Sequence, residues 1–256
     1  MDVVGDGFLA GRLAPLRPRH DRAVVLAAGV SWAAGTDAAA FAREERLVRR
    51  HADRARAEGR VLVFFSTASS GLYGAGPGVE DGPVTACTPY ARHKHRLEQV
   101  VAASGAEHLV LRLSHVVGPG NPGHQLMPSL ARQVRAGRVV LHRDATRDLV
   151  GVDEVVDALD RLLAAGASGG VVNEVVNVAS GTSVPVALLV DLLEARLGVR
   201  AERREVVVAN PRHRVDVVKL RRLVGELPAF STDPLHRLAP ALDDLTAGGG
   251  PCASSS

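Results

Sequence analysis

Five short runs rich in valine and leucine recur along the chain, at Asp2 to Val4, Ala23 to Ala27, Val61 to Phe65, His108 to Leu113 and Glu174 to Val178. Each is followed by a Gly/Ser loop and then a helical stretch. Strands that alternate with helices return to the same sheet through crossovers, so the pattern predicts a parallel sheet with helices packed on it, an α/β fold. The Gly- and Ser-rich loops then fall at the carboxyl edge of the strands, where open sheets of this kind bind ligands. Aromatic residues make up 3% of the 256 residues and hydrophobic ones 46%, so valine, leucine and alanine must fill the core.

Charge and composition exclude several classes of function. The formal net charge is +3, with acidic and basic residues interleaved. No basic block alternates with aromatics, which argues against a nucleic-acid partner. Cys87 and Cys252 are the only cysteines and form neither a disulfide framework nor a metal clip. The absence of a signal peptide and of any apolar run of about 18 residues leads to the expectation of a soluble cytoplasmic protein without a membrane partner. No internal repeat is visible, and the Gly- and Ser-rich tail from Thr246 to Ser256 is expected to be disordered.

The sharpest chemical signal is Tyr90 and Lys94, within Thr88-Pro89-Tyr90-Ala91-Arg92-His93-Lys94 at the predicted start of a helix. The chain has two tyrosines and two lysines, and a spacing of four puts both side chains on one helical face. A phenol titrates near ~10, but a neighbouring ammonium favours the phenolate and brings that value closer to neutrality. Tyr90 then gives a proton to a ketone oxygen or takes one from an alcohol. The alternative is a surface helix whose first turn carries these residues by chance. The loop Val4-Gly5-Asp6-Gly7-Phe8-Leu9-Ala10 opens the first helix, and its glycines let backbone amides approach a pyrophosphate. A plain strand-to-helix turn has a similar sequence.

Taken in order, further segments resemble the extended short-chain dehydrogenase/reductase family, the NAD-dependent epimerase/dehydratase group acting on nucleotide sugars, over most of residues 1 to 225. Leu26-Ala27-Ala28-Gly29-Val30-Ser31 is similar to the family's fourth strand and loop. Phe65-Ser66-Thr67-Ala68-Ser69-Ser70-Gly71-Leu72-Tyr73-Gly74 is similar to its Ser/Thr-rich segment ending in Tyr-Gly, which places the catalytic hydroxyl on Ser69. Tyr90 and Lys94 match the catalytic pair. Leu111 to Gly120 is similar to the strand leading into the substrate loop, with His115 where an asparagine is usual. Arg147-Asp148-Leu149-Val150-Gly151-Val152-Asp153-Glu154 and Asn177-Val178-Ala179-Ser180-Gly181 match two later elements.

The resemblance implies a Rossmann-like cofactor domain over 1–180 with a substrate-loop insertion near 120–146, and a small substrate lobe over 181–245. It implies cofactor contacts from Gly5, Gly7, Phe8, Leu9, Arg12, Ala27, Ala28 and Lys94, and substrate contacts from Ser70, His115, Arg147 and Arg212. Arg147 is expected on a nucleotide diphosphate, with Arg212 and Arg214 either closing over it or forming a solvated face. One departure is large: the chain passes from the first helix to the strand at Ala23 too quickly to hold the family's second and third strands, which leaves the first strand at a sheet edge. If the cofactor is kept, Arg12, Arg17, Arg19 and Arg22 favour NADP(H), with NAD(H) the other choice and loss of cofactor the third. The leading expectation is an NADPH-dependent ketoreductase of a nucleotide-linked 4-keto-deoxysugar in deoxysugar biosynthesis, a homodimer through the Tyr90 helix. The alternatives are an epimerase and a cofactor-free enzyme or binding protein.

Overall fold

The computed structural model describes residues 1–32, 37–167, 172–209, 211–225 and 233–247. In chain order, β1 (Asp2–Val4) leads through α1 (Phe8–Arg12) and a 3₁₀ turn (Ala14–Leu16) to β2 (Ala23–Leu26), α2 (Ala38–Glu58), β3 (Val61–Thr67), α3 (Ser70–Tyr73), α4 (Pro89–Ala102) and β4 (His108–Leu113). There follow β5 (His115–Val117), α5 (Leu126–Arg135), β6 (Arg138–His142), β7 (Thr146–Gly151), α6 (Val152–Ala167) and β8 (Glu174–Val178). The chain continues with β9 (Ser183–Pro185), α7 (Val186–Leu197), β10 (Glu202–Val206), α8 (Val218–Val224) and α9 (Pro234–Ala247).

The main sheet has five strands in the order β1-β2-β3-β4-β8. All of its pairings are parallel, with Val3 opposite Val25, Val25 opposite Val63, Val63 opposite Leu109 and Leu109 opposite Glu174. Successive side chains point to opposite faces. Val25, Val63, Leu109, Leu111 and Val176 therefore meet α6 and α8 on one side, while Val24, Leu26, Leu62, Phe64 and Val110 meet α2 and α4 on the other. Phe64 is the one aromatic among the largest fully buried side chains. Burying each of the larger aliphatic side chains contributes roughly 1.5–3 kcal/mol. Among the described residues β1 is an edge strand with no neighbour beyond it, as its short connection to β2 requires.

Local signals fix the helices that carry the site. The Thr88 side chain accepts from Ala91 N–H at 3.1 Å and Pro89 takes the first helical position, so α4 starts directly below the cavity. Helix α2 is capped by Asp37, which accepts from Ala39 N–H at 2.8 Å, and ends at Gly59 with φ +62°. Its buried stripe is Glu44, Val48, Ala52 and Ala55.

The segment expected as a substrate-loop insertion near 120–146 packs with residues beyond 180. Strand β7 pairs with β5 on one side and with β9 on the other, and β6 pairs with β10. A second core joins Met127, Leu130, Val134 and Leu141 to Leu189, Leu193 and Leu238. The lobe therefore draws on residues from both sides of 180, while α8, through Leu220, packs back on the main core. Helix α9 runs through Ala247, so Thr246 and Ala247, expected in a disordered tail, are helical; residues 248–256, Cys252 among them, lie outside the described residues. Cys87 is an exposed free thiol. No helix among the described residues is long and apolar enough to cross a membrane.

Candidate functional site

A cavity of about 250 Å³ opens at the carboxyl ends of β1 to β4. The β1–α1 turn contributes Gly7, Phe8 and Leu9, and the end of β2 contributes Ala27, Ala28 and Gly29. Thr67 and Ser69 enter from the end of β3, Tyr90 and Lys94 from α4, Glu44 from α2, and Ser114, His115 and His213 close the far side. At the rim Gln125 Nε2 donates to the Ser31 carbonyl at 3.1 Å, and the Ser31 hydroxyl lies 3.0 Å from His124 Nε2.

The three residues expected to be catalytic, Ser69, Tyr90 and Lys94, all line this cavity. Lys94 is sealed at 5% exposure; its ammonium donates to Glu44 Oε1 at 2.7 Å and to the Phe65 carbonyl at 3.2 Å, and lies 5.9 Å from the centre of the Tyr90 ring. Lys94 does draw the Tyr90 phenol down, as expected, but burial outweighs it, so the phenol does not approach neutrality. Burial pushes Tyr90 up, the Lys94 charge opposes it, Glu44 adds to it, and a hydrogen bond with Thr67 opposes it, with a net rise. Lys94 is itself held above its usual value, because the Glu44 and Tyr90 charges outweigh burial. Burial would raise Glu44, yet Lys94 and the His93 hydrogen bond bring it down to about 2.

Of the expected cofactor contacts, Gly7, Phe8, Leu9, Ala27, Ala28 and Lys94 line the cavity. Gly5 does not line it but shapes it: at φ +121° a Cβ there would stand 2.8 Å from the backbone of Ala27 and Ala28, so only glycine lets the turn rest on the end of β2. Arg12 turns away, its Nη2 donating to the Pro119 carbonyl at 2.8 Å. The set of arginines expected to read a 2′-phosphate does not converge: Arg19 pairs with Asp160 at 2.7 Å, and Arg22, ahead of β2, donates to the Gly59 carbonyl at 2.8 Å.

Of the expected substrate contacts, His115 lines the cavity, whereas Ser70, Arg147 and Arg212 stand outside its lining. Arg147 is half-buried and donates from one nitrogen to the carbonyls of Thr146 at 2.7 Å and Pro211 at 2.9 Å. No carboxylate pairs with it among the described residues, and burial lowers its pKa. Arg212 and Arg214 are exposed. His115 packs edge-on against His213, centroids 5.6 Å apart, and burial, then His213 and Arg147, push it well below the usual histidine value.

Glu44, Thr67 and His213 escaped the sequence reading. His213 spans the site: its Nδ1 accepts from the Asp148 N–H at 3.2 Å and its Nε2 donates to the Ala68 carbonyl at 2.5 Å. Burial pushes it down to about 4, so it stays neutral. Asp148, 1% exposed, accepts from the Ser180 N–H at 2.9 Å and is pushed up to about 6 by burial. A signal for Glu44 was present, since it is the acidic member of the buried stripe of α2.

Comparison with known proteins places this arrangement. The model of the NAD dependent epimerase/dehydratase family matches residues 17–179. A curated relative, the dTDP-6-deoxy-L-talose 4-dehydrogenase (NAD(P)(+)) of Kitasatospora kifunensis, is 35% identical over 116 residues, covering 42% of this chain and 35% of the relative. The chain thus spans about a third of that relative's length. MoeE5 in complex with UDP-glucuronic acid and NAD superposes with a TM-score of 0.80 at 20% identity, over 95% of this chain and 98% of that one. RMD from Pseudomonas aeruginosa complexed with NADPH gives 0.69 at 24% identity, over 96% and 89%. TunA, an NAD-dependent NDP-hexosamine 5,6-dehydratase, gives 0.75 at 21% identity, over 96% and 95%. These structures share the Rossmann-like parallel-sheet fold. Since the matched stretch runs from Arg17 to Ala179, more than half of the sequence and every strand of the main sheet after β1, the chain belongs to the NAD-dependent epimerase/dehydratase family.

Proposed function

We propose that the protein is an NAD(P)H-dependent ketoreductase of a nucleotide-linked 4-keto-deoxysugar. The observation that carries this reading is Tyr90: its phenol lines the cavity beside Thr67, Ser69 and Lys94, and its surroundings keep the proton on it. A group that holds its proton serves a reaction in which a carbonyl oxygen needs one.

The residues present fit a nicotinamide nucleotide. Gly7 leaves open space where a side chain would begin, and Lys94, with two donors engaged, keeps a third for a ribose hydroxyl. Gly7, Phe8, Leu9, Ala27, Ala28 and Lys94 would hold the group, and when bound in reduced form it supplies a hydride to the carbonyl carbon. Tyr90 gives its proton to the carbonyl oxygen, and Ser69 hydrogen-bonds the same oxygen and orients it. Arg147, a half-buried cation without a carboxylate partner among the described residues, takes the diphosphate, with exposed Arg212 at its edge. Two copies pair through α2 and α4. Their outward residues include Arg49, Arg50, Arg96 and Gln99, so hydrogen bonds and ion pairs hold such an interface.

A second reading, a cofactor-free catalyst or binding protein, is favoured by the edge position of β1, beyond which the described residues place no further strand at that end of the cavity. Fluorescence titration with NADPH and with NADH, followed by turnover of a nucleotide-linked 4-keto sugar, separates the two. Saturable binding and consumption of the reduced nicotinamide support reduction. No binding of either nucleotide at millimolar concentration would leave the second reading standing.

A further inference from the structure

Among the described residues Glu44 is the only acidic side chain lining the cavity, and it is the one charged residue of the buried stripe of α2. At 4% exposure both of its carboxylate oxygens are engaged. Oε1 accepts from Lys94 Nζ at 2.7 Å, and Oε2 accepts from Val30 N–H at 3.1 Å and lies 2.9 Å from His93 Nε2. The His93 ring is held flat against Phe41, with centroids 4.1 Å apart. Gly29 completes the seat, because any Cβ there would collide with the carboxylate. The loop after β2, helix α2 and helix α4 thus close around one anion.

We infer that Glu44 is a positioning residue that governs Tyr90 through Lys94: it fixes the ammonium beside the phenol and cancels much of its field there, keeping Tyr90 a proton donor and biasing the site toward carbonyl reduction. An ammonium alone within about 6 Å favours the phenolate. In contact with a carboxylate it becomes one end of a nearly neutral pair, whose field falls off more steeply with distance than that of a single charge. The other groups facing Tyr90 do not replace this effect. His93 shares its helix and is bound to the same carboxylate, Thr67 on β3 is uncharged, and His115 and His213 across the cavity are both held neutral. Glu98 acts on Lys94 from further along α4.

The premise is that Tyr90 is the acid of the proposed reduction, but the test needs neither cofactor nor substrate. The chain has two tyrosines, so the full-length protein labelled at the tyrosine ring carbons gives two NMR signals, and Tyr90→Phe assigns them. Glu44→Gln should lower the Tyr90 titration midpoint by about one pH unit and leave Tyr73 in place, while Lys94→Met should raise it. If Glu44→Gln does not fold, Glu44→Asp, which keeps the charge but withdraws it by one methylene, should give a smaller downward shift. A Tyr90 midpoint equal to wild type in whichever of these variants folds overturns the inference. In turnover, the loss of reduction at high pH should set in at lower pH in Glu44→Gln. A shifted Tyr90 signal together with no reduction of any keto sugar would count against the proposed reaction alone.

Discussion

Arg112 and Glu98 meet in a two-pronged ion pair behind the Tyr90 helix, Nε to Oε1 at 2.9 Å and Nη2 to Oε2 at 2.7 Å. Both are nearly sealed, at 3% and 5% exposure. Ser66 donates to the same carboxylate at 2.5 Å, and Arg112 Nη1 donates to the Tyr73 hydroxyl at 3.0 Å, which in turn donates to Asn177 at 2.6 Å. The network fastens α4 to β3, β4, α3 and β8, and so sets where Tyr90 and Lys94 stand. Glu98→Ala strands a buried guanidinium and should cost about 3–5 kcal/mol in urea unfolding, whereas replacing both partners with apolar residues should cost less. A loss under about 1 kcal/mol for Glu98→Ala would mean the pair does not hold the helix.

Tyr90→Phe should lower kcat for the proposed reduction by roughly 10²–10⁴-fold with little change in thermal midpoint. Among the described residues the phenol oxygen has no hydrogen-bond partner beyond Thr67. Consumption of reduced nicotinamide at saturating cofactor reads the effect, and undiminished turnover would remove the phenol from the chemistry.

Arg147→Ala should weaken binding of a nucleoside diphosphate by about 10–100-fold, the loss of a charge-assisted hydrogen bond or two. Arg147→Lys should not restore it, because an ammonium lacks the planar fork that meets two phosphate oxygens. Calorimetric titration with uridine or thymidine diphosphate gives the answer, and equal affinity in the alanine variant would move the diphosphate elsewhere.

His213 and Asp148 pull the pH dependence of stability in opposite directions. His213, pushed by burial from 6.5 to about 4, is neutral in the fold where the unfolded chain is protonated; the stability it confers is present above pH 6.5 and is lost as pH falls through about 4. His115, also pushed down, acts in the same sense. Asp148, pushed by burial from 3.8 to about 6, retains a proton the unfolded chain has released; its contribution is present below pH 3.8 and is lost as pH rises through about 6. Each extreme amounts to about 3 kcal/mol. Asp148→Asn should therefore lose stability on acidification more steeply than wild type between about pH 6 and 4, measured by denaturant titration. Parallel curves would show that Asp148 is not held protonated by the fold.

Much of this was legible in the chain, for reasons that differ from residue to residue. The strands stood out because buried parallel strands are continuous Val/Leu runs bounded by turns, as in Val61–Thr67. Tyr90 and Lys94 stood out because both residue types are scarce and Thr88-Pro89 marks the helix start just before them. Glu44 was hidden in the charged run Arg43-Glu44-Glu45-Arg46, where only its place on the buried stripe sets it apart. Arg12 and Arg19 went astray because a long side chain follows its tertiary partner, here the Pro119 carbonyl and Asp160. His213 reaches Ala68 across 145 residues, a contact no local pattern encodes. Strand β7 pairs with β5 and with β9 across residue 180, a link between segments that no local pattern encodes.

Of the two edge strands of the main sheet, β1 and β8, β1 is the shorter and the less buried, so it should be the fastest in amide hydrogen exchange, and the interior strands β3 and β4 the slowest. Because Gly5 rests on the backbone of Ala27, an opening of β1 carries the Gly7 to Leu9 wall away from the cavity. Any ligand gripped by that wall must then slow exchange in β1 selectively. Affinity at the cavity and the local unfolding equilibrium of the first strand become one free energy read in two ways.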